Sequence, residues 1–189
     1  MTVQSKDELR SKLLSARNVM KVEDARRKSS QIIHLLSSLP EFTEARFIHT
    51  YVSSKKNEVD TRSVIEEAFK KGTRVAVPIA EKERPLLRHS EIFSMNDLAA
   101  GAFGILEPNK ITPINLNEVE VVLVPVIGVD RSGTRLGFGG GYYDSFLRHV
   151  SCTKIALAYD FQVMPDLPRE QHDEPVTIII TESEIIHCQ

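Results

Sequence analysis

At 189 residues, with 41% hydrophobic and 26% charged residues, the chain has the make-up of one soluble globular domain. A net charge of −2 argues against a nucleic-acid footprint or a polybasic membrane surface, so neither partner is expected. Cys152 and Cys188 have neither zinc nor CxxC spacing, no apolar run approaches the ~20 residues that span a bilayer, and MTVQSKDELRSKLL lacks an apolar leader, so the expected address is cytoplasmic.

Ser5 and Glu8 form an S-x-x-E capping box, which predicts a first helix starting near Lys6. Leu9, Leu13 and Ala16 share one of its faces; Lys6, Arg10 and Arg17 share another, which spacing alone reads as a solvated basic face. A second helix is predicted from about Glu23 to Ser38, closed by Pro40. Arg46–Ser53 reads as the first strand, followed by the polar loop SKKNEVDT. Thr61 is placed to cap a helix that ends at Lys71 with Gly72 as its stop, and Thr73–Ile79 is the second strand. These pieces make a β-α-β unit with a right-handed crossover.

Glu81–Arg84 is charged and turn-like, Leu86–Ile92 a short strand, Met95–Ala99 a helical turn, and Gly101–Asn109 irregular. Val119–Val129 is the most apolar run and predicts a central, buried parallel strand, with Pro125 expected near its end because proline cannot donate to a ladder. A helix over Gly141–Val150, a strand over Lys154–Tyr159, a long strand over Glu174–Thr181 and a short addition at Glu184–His187 complete the chain. The alternation predicts an α/β, three-layer domain with a mostly parallel central sheet. No repeat or linker divides it, so residues 1–189 are expected to form one domain.

Six of the nine glycines lie between Gly128 and Gly141, between an apolar run and a helix-compatible segment. Such a turn can converge main-chain N–H groups on phosphate oxygens, helped by the positive end of the following helix. GFGGG is only a loose relative of GxGxxG, so a plain tight turn stays open beside the phosphate reading. Asp144 falls in the first turn of that helix, where a carboxylate suits the helix dipole with or without a metal. Magnesium takes one or two carboxylates together with phosphate oxygens, and Asp173 is the best second candidate; as an ordinary turn residue it would need no metal. Tyr142 and Tyr143 are either core aromatics or a stacking surface, and Glu58 is notable only for its place after the first strand.

Arg135–Leu147, RLGFGGGYYDSFL, preceded by VLVPVIGVDRSG and followed by IALAYDFQ and LPREQHDEPVTIIITE, resembles the 5-formyltetrahydrofolate cyclo-ligase (methenyltetrahydrofolate synthetase) family. The resemblance covers nearly the whole chain, including K-x-x-L-R at Lys6, Leu9 and Arg10, and departs at Phe138, a position that is often Arg or Tyr in that family. It implies a fold similar to the sugar-phosphate isomerase and CoA-transferase group. It also implies ATP- and Mg²⁺-dependent closure of 5-formyltetrahydrofolate to 5,10-methenyltetrahydrofolate, with release of ADP and phosphate.

On the same grounds Lys6, Asp7, Glu8, Leu9 and Arg10, with Arg135, Leu136, Gly137, Phe138, Gly139, Gly140, Gly141, Tyr142 and Tyr143, are expected to contact ATP. Glu58 and Phe138–Tyr142 are expected to meet the folate, and Asp144 and Asp173 to hold Mg²⁺. No covalent nucleophile is implied, and a monomer is expected. The competing readings are a non-catalytic nucleotide- or folate-binding module of the same fold and a sugar-phosphate isomerase, which needs no ATP.

Overall fold

The computed structural model describes residues 4–81, 83–101 and 104–188; Lys82, within the expected Glu81–Arg84 turn, and Ala102 and Phe103, within the expected irregular stretch, lie outside the described residues. Helix α1 (Lys6–Val19) begins where Ser5 and Glu8 cap each other, and α2 (Val22–Leu36) follows after a two-residue break. Pro40 does not merely close α2. It opens a further short helix, α3 (Pro40–Thr43), because proline suits a first helical position.

β1 (Phe47–Thr50) and β2 (Arg74–Ala80) flank α4 (Thr61–Lys71). Asp60, rather than Thr61, is the N-cap of α4: its carboxylate accepts from Arg62 N–H at 3.0 Å. Thr61 is buried, and its hydroxyl donates to Tyr51 O at 2.6 Å. Gly72 ends α4 at φ 75°. β3 (Leu87–Ile92) then runs antiparallel to β2. A single 3₁₀ turn over Met95–Asp97 leads into β4 (Leu98–Ala100), which pairs with β5 (Leu106–Pro108), so part of the stretch expected to be irregular is a strand.

The apolar run Val119–Val129 is two strands, not one. β6 (Val121–Val124) stops at Pro125, and β7 (Gly128–Asp130) joins a second, smaller sheet with β8 (Arg135–Leu136). Continuity of hydrophobicity cannot distinguish one long buried strand from two successive ones. Besides 3₁₀ turns at Leu116–Glu118 and Asp160–Gln162, the remaining elements among the described residues are α5 (Tyr142–Leu147), β9 (Thr153–Leu157), β10 (Val163–Met164), β11 (Ile178–Ile180) and β12 (Ile185–His187). Both α5 and β11 are shorter than the sequence suggests.

The main sheet has seven strands in the order β12-β11-β9-β6-β1-β2-β3. The inner five are parallel and each outer strand is antiparallel, so the sheet is mostly parallel with β6 at its centre. Strand alternation divides the core between two faces. Ile48, Val75, Val77, Val121 and Leu123 pack against Ile32 and Leu36 of α2 and Val64, Ile65 and Ala68 of α4. Phe47, Ala76, Val122, Val124 and Ala156 face Phe146 and Leu147 of α5 and Val150 beyond it. These are the three layers of the predicted α/β fold. The small sheet, in the order β10-β7-β8, is covered by α1, with Leu9 and Leu13 against Ile127, Leu136 and Leu167. Among the described residues no helix is long and apolar enough to cross a membrane.

Candidate active site

The carboxyl ends of β1, β2 and β6 open into a cleft of about 540 Å³, where a parallel sheet of this kind leaves room for ligands. Tyr51 and Val52 follow β1, Pro78 and Ala80 end β2, and Pro125 follows β6 along its wall. The cleft is completed by α1, by the loop that carries Glu58, by residues 135–144, and by Glu170, His172 and Asp173.

The basic face of α1 does not face water. Leu9 and Leu13, four residues apart, form the buried seam against the small sheet, Arg17 is buried one turn further along, and the adjoining Lys6 and Arg10 are turned into the cleft. Lys6 Nζ lies 2.6 Å from Asp173 Oδ2 and 3.2 Å from Glu170 Oε2. Arg10 Nε donates to Gly137 O at 2.9 Å, and its guanidinium also pairs with Asp7. Arg17 is 3% exposed, and its guanidinium stands 5.9 Å from the Phe138 ring centroid. Asp7, Glu8 and Leu9 do not line the cleft: Asp7 and Glu8 point outward at the helix start, and Leu9 is core.

The small sheet delivers the glycine loop. β8 ends at Leu136, and residues 137–141 run along the cleft into α5. Gly139 (φ 92°) and Gly141 (φ 70°) hold left-handed conformations that other residues rarely adopt. A Cβ on Gly139 would also stand 3.3 Å from the Arg10 guanidinium carbon. The main-chain N–H groups of Gly139, Gly140 and Gly141 make no hydrogen bond to other described residues, so three donors border the cleft without partners. With only six residues, α5 brings a smaller dipole than a long helix would, and these amides and the cations of α1 carry more of the attraction for an anion. Tyr142 and Tyr143 both line the cleft; Tyr142 Oη donates to Glu81 O at 2.9 Å, while Tyr143 packs edge-on to Phe146.

Two carboxylates and two cations set the electrostatics. Asp144 Oδ1 accepts from the nearly buried Arg135 at 2.5 Å and from Glu174 N–H at 3.2 Å. Burial pulls the Arg135 pKa down, and the attraction of Asp144 only partly offsets it. Burial likewise pushes Asp173 up, but its hydrogen bonds from Lys6 and from Glu170 N–H outweigh that and leave it below its ordinary value. For Lys6, the same contacts with Asp173 and Glu170 overcome desolvation and raise its pKa. Asp144 Oδ2 has no partner among the described residues. Two aspartates on one cleft, one with an oxygen to spare, beside unpartnered amides that suit phosphate, are a donor set that fits Mg²⁺ arriving with a nucleotide.

Glu58 follows β1 in the loop between β1 and α4. Its Oε2 accepts from Ser54 N–H at 2.9 Å and Lys55 N–H at 3.1 Å, while Oε1 has no partner among the described residues. Glu170 and His172 were not singled out by sequence as site residues. With Asp173 they place three potential ligand atoms within 4.8 Å of one another. A carboxylate three residues before Asp173 was the available local signal; the 167-residue separation between Lys6 and Asp173 gave none.

The 5-formyltetrahydrofolate cyclo-ligase family model matches residues 2–182. A 5-formyltetrahydrofolate cyclo-ligase of Mycolicibacterium smegmatis is 30% identical over 96% of this chain and 95% of its own length. One from Haemophilus influenzae is 28% identical over 95% and 99%. The solved 5,10-methenyltetrahydrofolate synthetase of Aquifex aeolicus superposes with a TM-score of 0.86 at 36% identity, covering 97% of this chain and 93% of that one. A synthetase from Mycoplasma pneumoniae, at 22% identity and a TM-score of 0.77, shares the fold. A match over almost the full length, joined to the glycine loop and the cleft it borders, places this chain in the 5-formyltetrahydrofolate cyclo-ligase family.

Proposed function

We propose that this chain closes 5-formyltetrahydrofolate to 5,10-methenyltetrahydrofolate at the cleft between α1 and the glycine loop, consuming ATP and releasing ADP and phosphate. The carrying observation is one cavity of about 540 Å³ that brings together Lys6, Arg10, Glu58, residues 135–143, Asp144 and Asp173 from distant parts of the chain. That volume suits two substrates held side by side.

A formamide carbonyl is a poor electrophile because the nitrogen lone pair is delocalised into it. Attack of its oxygen on the γ-phosphorus forms a C–O–P linkage and breaks the bond to the β-phosphate oxygen, giving ADP. N10 then attacks the activated carbon and loses its proton, and the C–O bond breaks as phosphate leaves. The protein's contribution is positioning and charge stabilisation. The N–H groups of Gly139–Gly141 hold phosphate oxygens, with Lys6 and Arg10 as cationic contacts. Arg135 holds the Asp144 carboxylate in place through their ion pair. Glu58 Oε1, directed by the two N–H bonds to Oε2, accepts from the donor edge of the pterin. Mg²⁺, when bound by Asp144 and Asp173, supplies neutralisation of the charge that develops on the phosphates.

The reading needs no nucleic-acid or membrane partner and treats the working unit as a cytoplasmic monomer. Mixing the protein with 5-formyltetrahydrofolate, ATP and Mg²⁺ should produce the ultraviolet absorption of the methenyl product together with ADP. Omitting ATP or chelating the metal should abolish both. Folate-independent ADP release, or no methenyl product, would overturn the assignment.

A further inference from the structure

The loop that carries Glu58 is tied to helix α1 through Asn57. Asn57, immediately before Glu58, is the single non-glycine residue with positive φ (52°) among those described. Asparagine tolerates this region at modest cost, because its short polar side chain can bond nearby backbone. Here the bond goes elsewhere: Asn57 Nδ2 donates to Arg17 O and to Met20 O, both at 2.8 Å. Those carbonyls belong to the last turn and the C-cap of α1, where the regular helical ladder runs out; Arg17 O also accepts from Met20 N–H, at the longer distance of 3.3 Å. The left-handed backbone turns the Asn57 amide towards α1 and hands the chain on to Glu58 in the same step.

The loop has its own bonds, from Ser54 and Lys55 N–H to Glu58 Oε2 and from Glu58 N–H to Lys55 O at 3.1 Å. These fix the carboxylate relative to residues 54–58. The Asn57 bonds reach α1, the helix whose Lys6 and Arg10 line the same cleft. We propose that Asn57 is a positioning residue that latches the Glu58 carboxylate to the C-terminal end of α1, setting the distance between the folate-facing carboxylate and the cations on that helix. It touches no substrate. The proposal rests on Glu58 facing the folate, as proposed above.

Misplacing a positioning group by about 1 Å can cost as much as 100-fold, so a latch of two hydrogen bonds merits an effect of about tenfold on the group it holds. Asn57→Gly keeps the positive φ without strain and removes only the amide. The expected result is a KM for 5-formyltetrahydrofolate raised about tenfold, with the KM for ATP within about twofold of the parent and kcat lowered less than the folate KM is raised. If that variant is too unstable to assay, Asn57→Asp keeps the shape but points a carboxylate at two carbonyls, and the same split is expected from it. Equal changes in both KM values, or an unchanged folate KM, would overturn the latch. Glu58→Gln assayed beside them separates the two ideas. If Glu58→Gln leaves the folate KM unaltered, the folate role of Glu58 is wrong; if it raises that KM while both Asn57 variants do not, only the latch is wrong.

Discussion

Asp144→Asn tests the electrostatic core of the site twice over. The Arg135 side chain is 3% exposed, and Asp144, its ion-pair partner, is 19% exposed. Removing one member of a buried pair strands the other charge, a loss of about 3–5 kcal/mol when both are fully buried. Asparagine keeps an acceptor for Arg135 and Glu174 N–H, and the partial exposure of Asp144 weakens the effect, so about 2–3 kcal/mol is expected. For a chain of this length that corresponds to a fall in Tm of about 5–10 °C, followed by circular dichroism. Initial rates of methenyl formation should drop by a factor of about 100 or more, since the charge proposed to steady the transition state is gone. Adding Arg135→Met should recover much of the lost Tm and none of the rate, because the stranded cation disappears while the reaction still lacks its carboxylate. A single variant melting with the parent would show that Arg135 is balanced by something other than Asp144. Full cyclisation by that variant would remove Asp144 from the chemistry.

Gly133→Ala should unfold the protein more easily without touching the cleft: φ is 87°, and a Cβ there would stand 2.2 Å from Val176 O, a backbone atom with nowhere to go. A loss of more than about 2 kcal/mol in urea unfolding is expected, and less than about half of that would contradict the packing. Gly139→Ala combines φ 92° with a Cβ 3.3 Å from Arg10, so it should raise the ATP KM far more than it lowers Tm; an unchanged ATP KM would count against the glycine loop as the phosphate site. His49 and His89 lie 3.0 Å apart against Phe146, and burial lowers both, His89 from 6.5 to about 4. The unfolded chain therefore binds more protons below pH 6.5, and stability should fall as pH drops from 6.5 towards 4, with nothing lost from this pair at alkaline pH. His89→Asn should flatten that slope between neutral pH and roughly pH 5, and a slope identical to the parent's would exclude the pair as its source.

The order of strands and helices was legible because caps, glycines and apolar runs are local signals. Ser5 and Glu8 announce α1, and Gly72 ends α4. Pro125 was the one clue that the run around it is broken, but a break does not say where the chain goes next. The small sheet that receives β7 is built from residues 128 to 164, and its pairing is a tertiary fact. Arg17 was misread because spacing shows that residues share a face without showing what covers it; α1 packs on the small sheet, so the stripe turns inward. The residues that meet in the cleft were legible mainly through the resemblance carried by LGFGGGYYD. The Lys6–Asp173 contact, the nearby Glu170 and His172, and the tie between Asn57 and α1 required the fold itself.

The departure of the chain from the main sheet at Pro125 separates two tasks. The seven strands and their helices supply most of the hydrophobic interior, whereas the glycine loop proposed to hold phosphate hangs from a three-stranded platform clasped by α1. Conservative exchanges in the Ile48–Ile178 layer should therefore trade thermal resistance while leaving substrate preference intact. Exchanges at Leu13, Ile127 or Leu136 should tilt the platform and retune turnover in a molecule that still folds. Laboratory evolution of this scaffold would find durability and selectivity at different addresses.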